Sequence, residues 1–239
     1  MKKLLSVSIA ALAFAAVADP AVYSPITVEV RNITPSVQNT IIPVPVTTIG
    51  STDPVSVHDL VKAANLPNDT MLYYFNGTSY NAWKKDSTGA WTTPDISSTI
   101  GTNAVTKGSD EIHVSVGAAL WVSFTNGTDL ASQTIVVYGA PVESKTSTIA
   151  VGTNLLANPT GEAVDGATLA TKLADMETKP VKGDKITYLG GETSGVYFTY
   201  TGSVWKKVAG KTITDGLDNL PANGGFWYIS KGGAGTITW

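Results

Sequence analysis

The stretch Asp69-Thr-Met-Leu-Tyr-Tyr-Phe-Asn-Gly-Thr-Ser-Tyr-Asn-Ala-Trp83-Lys84-Lys85 returns, altered, as Asp184-Lys-Ile-Thr-Tyr-Leu followed by Tyr197-Phe-Thr-Tyr-Thr-Gly-Ser-Val-Trp205-Lys206-Lys207. Both read as aromatic, β-branched strands that close on Trp-Lys-Lys, so Asp69 pairs with Asp184 and Trp83 with Trp205 as counterparts. Asn76-Gly77 supplies the positive φ angles of a two-residue hairpin turn, and Thr201-Gly202 is read as its equivalent.

Working outward, further landmarks recur in the same order. A short amphipathic run precedes each stretch, Val57–Ala64 and Ala167–Ala174. The first helix is expected to start at Asp53-Pro54 or nearer Ser56, the second within Asp165 to Thr168. Downstream, a glycine opens an aromatic strand, at Gly117 before Trp121 and at Gly224 before Trp227. One more strand closes each copy, from Gln133 to Tyr138 and from Gly235 to Trp239. Ordered recurrence of this kind is the mark of a tandem duplication. Residues 86–110 and 208–223 read as loops, with short strands open at Ala90-Trp91 and Glu111–Val116. The expected fold is mostly β: two small β-sandwich or open-barrel modules, residues 41–140 and 147–239, each with one short helix laid on an antiparallel sheet.

Two segments stand outside the copies. Lys2-Lys3, the apolar run Leu4–Val17 and the exit Ala16-Val17-Ala18 form a secretory leader over residues 1–18, cut after Ala18 or near Ala21. Residues 19–40 belong to neither copy and read as a detached β arm, which pairs either within its own chain or with a neighbour. Within it Ile26-Thr-Val-Glu-Val30 alternates apolar and polar side chains between Pro20, Pro25 and Pro35, with Ile26, Val28 and Val30 on the face that wants burial.

Composition limits the functions available. The 239 residues carry a net charge of −3, and only 15% are charged. Arg31 is the sole arginine and the lysines are scattered, so there is no concentrated cationic face for nucleic acid. Cysteine is absent, which removes disulfides, thiolate metal sites and Cys nucleophiles. No later segment is long and apolar enough for a transmembrane helix.

No enzyme signature emerges. His58 and His113 sit in no nucleophile or metal motif, and Gly-x-Ser-x-Gly, HExxH and phosphate-loop patterns are missing. Asp215-x-x-Asp218 with Asn219 offers oxygens to calcium in a spacing that matches no calcium loop. No catalytic residue, metal site or cofactor is therefore expected. Exposed aromatics can stack on sugar rings, and Trp91, Tyr80 and Tyr200 are the candidates; Trp91, without an evident twin, is the best placed of the tryptophans.

Asn154-Leu-Leu-Ala-Asn-Pro159 and Leu220-Pro-Ala-Asn-Gly-Gly-Phe-Trp-Tyr-Ile229 resemble a repeat of secreted bacterial surface proteins, in which W-N-L-x-x-x-P is followed by G-x-G-F-W. Thr153 stands where that repeat has its leading Trp. The first copy lacks the Asn-Leu and carries Leu120 where Phe226 stands. The resemblance implies an extracellular address and modularity, and no activity. The expectation is an exported structural or interaction protein that self-assembles or meets other surface proteins, as a surface-layer or filament subunit joined through the arm. The alternative is a secreted module that binds polysaccharide.

Overall fold

The computed structural model describes residues 24–29, 37–43, 55–56, 66–93, 113–114, 118–125, 134–139, 144–188, 196–222 and 224–239. These residues form a mostly β fold with one α-helix. The segment read as a leader, Val30, His58 and the run 57–64 lie outside them.

In the first half the strands are β1 (Ser24–Glu29), β2 (Val37–Pro43), β3 (Val55–Ser56), β4 (Thr70–Phe75), β5 (Tyr80–Lys85), β6 (Trp91–Thr92), β7 (His113–Val114), β8 (Ala119–Thr125) and β9 (Thr134–Gly139). In the second half β10 (Thr146–Ile149) and β11 (Gly152–Ala157) precede helix α1 (Gly166–Ala174). Then come β12 (Lys185–Tyr188), β13 (Val196–Tyr200), β14 (Trp205–Ala209), β15 (Thr212–Asp215), β16 (Gly225–Ser230) and β17 (Gly235–Thr238).

The two large sheets share one strand order. The first sheet runs β2-β8-β4-β5-β6 and the second β11-β16-β12-β13-β14-β15, so the second copy repeats the first and adds β15. Each half also has a two-stranded sheet, β1-β9 and β10-β17. The small pair β3-β7, Val55 opposite Val114, corresponds to the bridge between Val164 and Leu220.

The pairing registers correct the residue-level equivalences. Tyr73 opposes Trp121, and Thr187 opposes Trp227, so Leu72 matches Ile186 and Thr70 matches Asp184. Asp69, at φ 63°, therefore corresponds to Gly183, at φ 94°; their amides donate to the carbonyls of Lys85 and Tyr200 at 2.7 and 2.8 Å. From there Leu72 opposes Trp83 as Ile186 opposes Phe198, and Lys85 opposes Trp91 as Tyr200 opposes Trp205. The partner of Trp205 is thus Trp91, and that of Trp83 is Phe198. The two Trp-Lys-Lys triplets lie on different strands and resemble each other by chance.

Local chemistry explains where elements begin and end. The β4–β5 connection is a four-residue loop rather than a two-residue turn: Asn76 Oδ1 accepts from the amides of Thr78 and Ser79 at 3.0 and 2.8 Å, and Gly77 takes φ 93°. Thr201–Val204 corresponds instead to the turn after Lys85. Residues 208–223, expected as loop, contain β15. Helix α1 has Asp165 as N-cap, its carboxylate accepting from Thr168 N–H at 2.9 Å. In the first copy β3 occupies Val55-Ser56, and Asp53-Pro54 lie outside the described residues. The matching bridges place Ser56 where Asp165 stands.

In the second copy, Leu156, Ile186, Phe198, Trp205, Phe226 and Tyr228 point from the large sheet into one core. Leu169 and Leu173 of α1, Ile149 of β10 and Ile237 of β17 cover them. Trp239 seals that layer, its indole N–H donating to Ser147 Oγ at 2.9 Å. Fully burying a side chain such as Leu or Phe stabilises by about 1.5–3 kcal/mol, so this cluster supplies most of the copy's stability. In the first copy Ile42, Leu72, Trp83, Leu120 and Val122 are buried in corresponding positions.

Candidate functional site

Antiparallel pairing sets Ile26 and Val28 of β1 opposite Val137 and Ile135 of β9 in the same chain. The segment read as a detached arm is therefore the first strand of the first copy, the counterpart of β10, which pairs with β17. It escaped notice because β10 reads Thr-Ser-Thr-Ile and shares no side-chain pattern with Pro-Ile-Thr-Val.

The second feature is an aromatic seam. The side of the first sheet turned away from Trp83 carries Tyr73, Phe75, Tyr80 and Trp121; the matching side of the second sheet carries Trp227. Tyr73 stacks on Trp121 with centroids 4.5 Å apart, and Trp121 meets Trp227 edge-on at 6.2 Å. Phe75 and Tyr80 lie 4.8 Å from each other and 6.0 Å from Trp227. Trp121 and Trp227 are register equivalents, so the copies face each other through the same surface. Ile41 and Ala119 continue the contact against Leu155 and Ala157. Gly225 sits there because a Cβ would come within 2.3 Å of Ile41 Cγ2. Burial raises the phenol pKa values of Tyr73 and Tyr80.

This arrangement disperses the three aromatics read as glycan platforms. Tyr80 is half-buried in the seam, tilted 41° to Phe75 and 60° to Trp227. Trp91, half-buried, lies opposite Lys85 and so on the other side of its sheet. Tyr200 packs on Trp205, 5.2 Å between centroids, at the edge of the second core. No two of them share a surface on which one sugar could lie.

The acidic candidates are engaged with the protein. Asp215 pairs with Lys206, and Asp218 with Lys207 at 2.5 Å; Asn219 Oδ1 accepts from Gly166 N–H at the start of α1. Among the described residues no three His, Asp or Glu side chains gather as a metal site would require. Asp184, read as turn chemistry, is 1% exposed. Its carboxylate accepts from Val181 N–H at 3.1 Å, Lys231 N–H at 2.8 Å and the Tyr228 hydroxyl at 2.7 Å. The hydroxyl of Tyr188 donates to the Asp218 carbonyl at 2.8 Å. The Asp184 contacts tie the start of β12 to the C-terminal end of β16, and the Tyr188 contact ties the end of β12 to the segment that follows β15.

Among the described residues, no helix is long and apolar enough to cross a membrane. No protein-family model, curated protein or solved structure matches the chain.

Proposed function

We propose that this chain is an exported, non-catalytic structural protein of the cell exterior, whose copies join as surface-layer or filament subunits by exchanging strand β1. The observation that carries this reading is the isolation of β1. Among the described residues it pairs with β9 alone, in a sheet of two strands, and belongs to neither large sheet. Exchange would keep all six register pairs, Ser24 with Gly139 through Glu29 with Thr134, while moving them between molecules. Such β-augmentation draws affinity from main-chain hydrogen bonds and register from alternating side chains, here Ile26 and Val28. With the leader removed after Ala18, only residues 19–23 would precede the strand. In the second copy β10 is also fastened next to its ladder, where Lys145 accepts from the Trp239 amide and Ser144 donates to the Trp239 carbonyl. Polysaccharide binding has less support, because Tyr80 and Tyr200 are packed on other rings.

The absence of native cysteine makes a lock straightforward. Ile26→Cys with Val137→Cys joins a facing pair, whose Cβ atoms are about 4.5–5.5 Å apart in antiparallel sheets, within reach of a disulfide after slight adjustment. The mature wild-type protein is expected to form filaments or sheets in negative stain. The oxidised variant should form neither filament nor sheet, and a reductant should release assembly. Filaments or sheets from the oxidised variant, or a wild type that forms none at any concentration, would sink the reading.

A further inference from the structure

Among the described residues, strand β15 bounds the six-stranded sheet and bonds to β14 alone. All four of its residues are exposed, Ile213 at 64%. Ala209 faces Thr212 across a two-residue turn, and the Gly216 amide donates to the Trp205 carbonyl at 2.9 Å. Alternation then aims the backbone of Thr212, Thr214 and Gly216 at β14, and that of Ile213 and Asp215 away from the sheet. Such an edge is a ready template for another strand, and natural edges are blunted by proline, bulges or free charges. β15 has no proline and no bulge, and the carboxylate of Asp215 is held by Lys206. The row Tyr197, Val208, Ile213, set by the pairing register, runs to this edge and stops in solvent.

We infer that β15 pairs with β15 of a second copy of this chain, antiparallel about a two-fold axis normal to the sheet, joining two six-stranded sheets into one. The axis keeps each face on its own side, so Ile213 must oppose a residue of its own face: Ile213, Asp215 or Lys211 of the second copy. Only the first register sets Ile213 on Ile213. It also brings exposed Lys211, in the turn, beside Asp215 of the other copy, so charge and apolar surface both select it. The apolar row then crosses the junction unbroken, and the outward amide and carbonyl of Ile213 exchange hydrogen bonds with their copies. This contact does not depend on exchange of β1.

Sedimentation equilibrium on the mature chain with β1 fixed by the oxidised Ile26→Cys/Val137→Cys pair separates the two contacts. A dimer and nothing larger is expected. Ile213→Pro removes only an outward N–H, which an edge strand tolerates, and Ile213→Lys sets like charges together; each should weaken dimerisation at least about tenfold with an unchanged circular dichroism spectrum. In an otherwise cysteine-free chain, Ile213→Cys should oxidise to a disulfide dimer far faster than Val151→Cys, whose parent side chain is 63% exposed elsewhere. A monomer throughout, association indifferent to both Ile213 substitutions, or equal cross-linking at the two cysteines overturns the pairing. Failure of strand exchange alone leaves this dimer in place.

Discussion

Asp184 accepts three hydrogen bonds at 1% exposure, two from backbone amides and one from a phenol. A buried carboxylate is tolerable when donors surround it, and each donor left facing an imperfect acceptor costs desolvation free energy. Asp184→Asn turns an amino group toward those donors and should lower stability by about 2–3 kcal/mol, read from urea unfolding. Tyr228→Phe should cost less, about 1–2 kcal/mol, since it removes one donor and leaves the amides in place. A loss under half a kilocalorie per mole for both would mean the carboxylate does not organise this end of the sheet. The sequence showed that Asp69 and Asp184 begin strands, yet it could not show that they are offset by one residue. What separates them is backbone conformation: Asp69 and Gly183 share a positive φ, and the residues after them, Thr70 and Asp184, share burial. The tryptophans show the same limit, since identical triplets outweighed the alternation that pairs Trp91 with Trp205.

Among elements, helix α1 was the most legible, because a cap, a three-to-four-residue apolar spacing and a polar face all agree within nine residues. Two-residue strands such as β6 and β7 carry little periodic signal. β15 went unread because Thr-Ile-Thr-Asp lies among glycines, and its pairing with β14 is decided by the turn at Gly210. The contact between the large sheets turns on Gly225, where an added Cβ would meet Ile41 Cγ2 at 2.3 Å and the Leu156 carbonyl at 2.7 Å. Gly225→Ala should therefore destabilise by about 1–3 kcal/mol as the sheets shift apart. Combined with Ile41→Ala, which itself leaves a void, the double variant should lose less than the two single losses added together. Strict additivity in thermal unfolding would mean that the two side chains do not press on each other.

For the whole molecule, alkaline pH probes packing. Burial lifts the phenols of Tyr188 and Tyr228 well above the ordinary tyrosine range, with the Asp218 and Asp184 carboxylates adding to the effect. A group whose folded pKa lies above its unfolded value near 10 contributes stability that is complete below about pH 10 and declines as pH rises beyond it. Of the nine tyrosines, the exposed ones should yield phenolate absorbance first. A later step should coincide with loss of near-ultraviolet dichroism; smooth ionisation of all nine near pH 10 with the dichroism intact would contradict the packing. At this scale the mostly β character was readable. The meeting of the copies was not, because Leu155, Ala157 and Trp227 alternate as any strand does, and nothing in one copy's pattern names the other as its cover.

That meeting has a consequence for how the halves hold together. Corresponding positions touch, as they do between the subunits of a symmetric homodimer, yet residues 140–145 tether one half to the other. A short tether holds the local concentration of each half at the other's surface near ~1 mM, whatever the dilution outside. An attachment too weak to survive between separate molecules therefore suffices here, and a seam of a few rings can keep the two halves in register where a free dimer would fall apart.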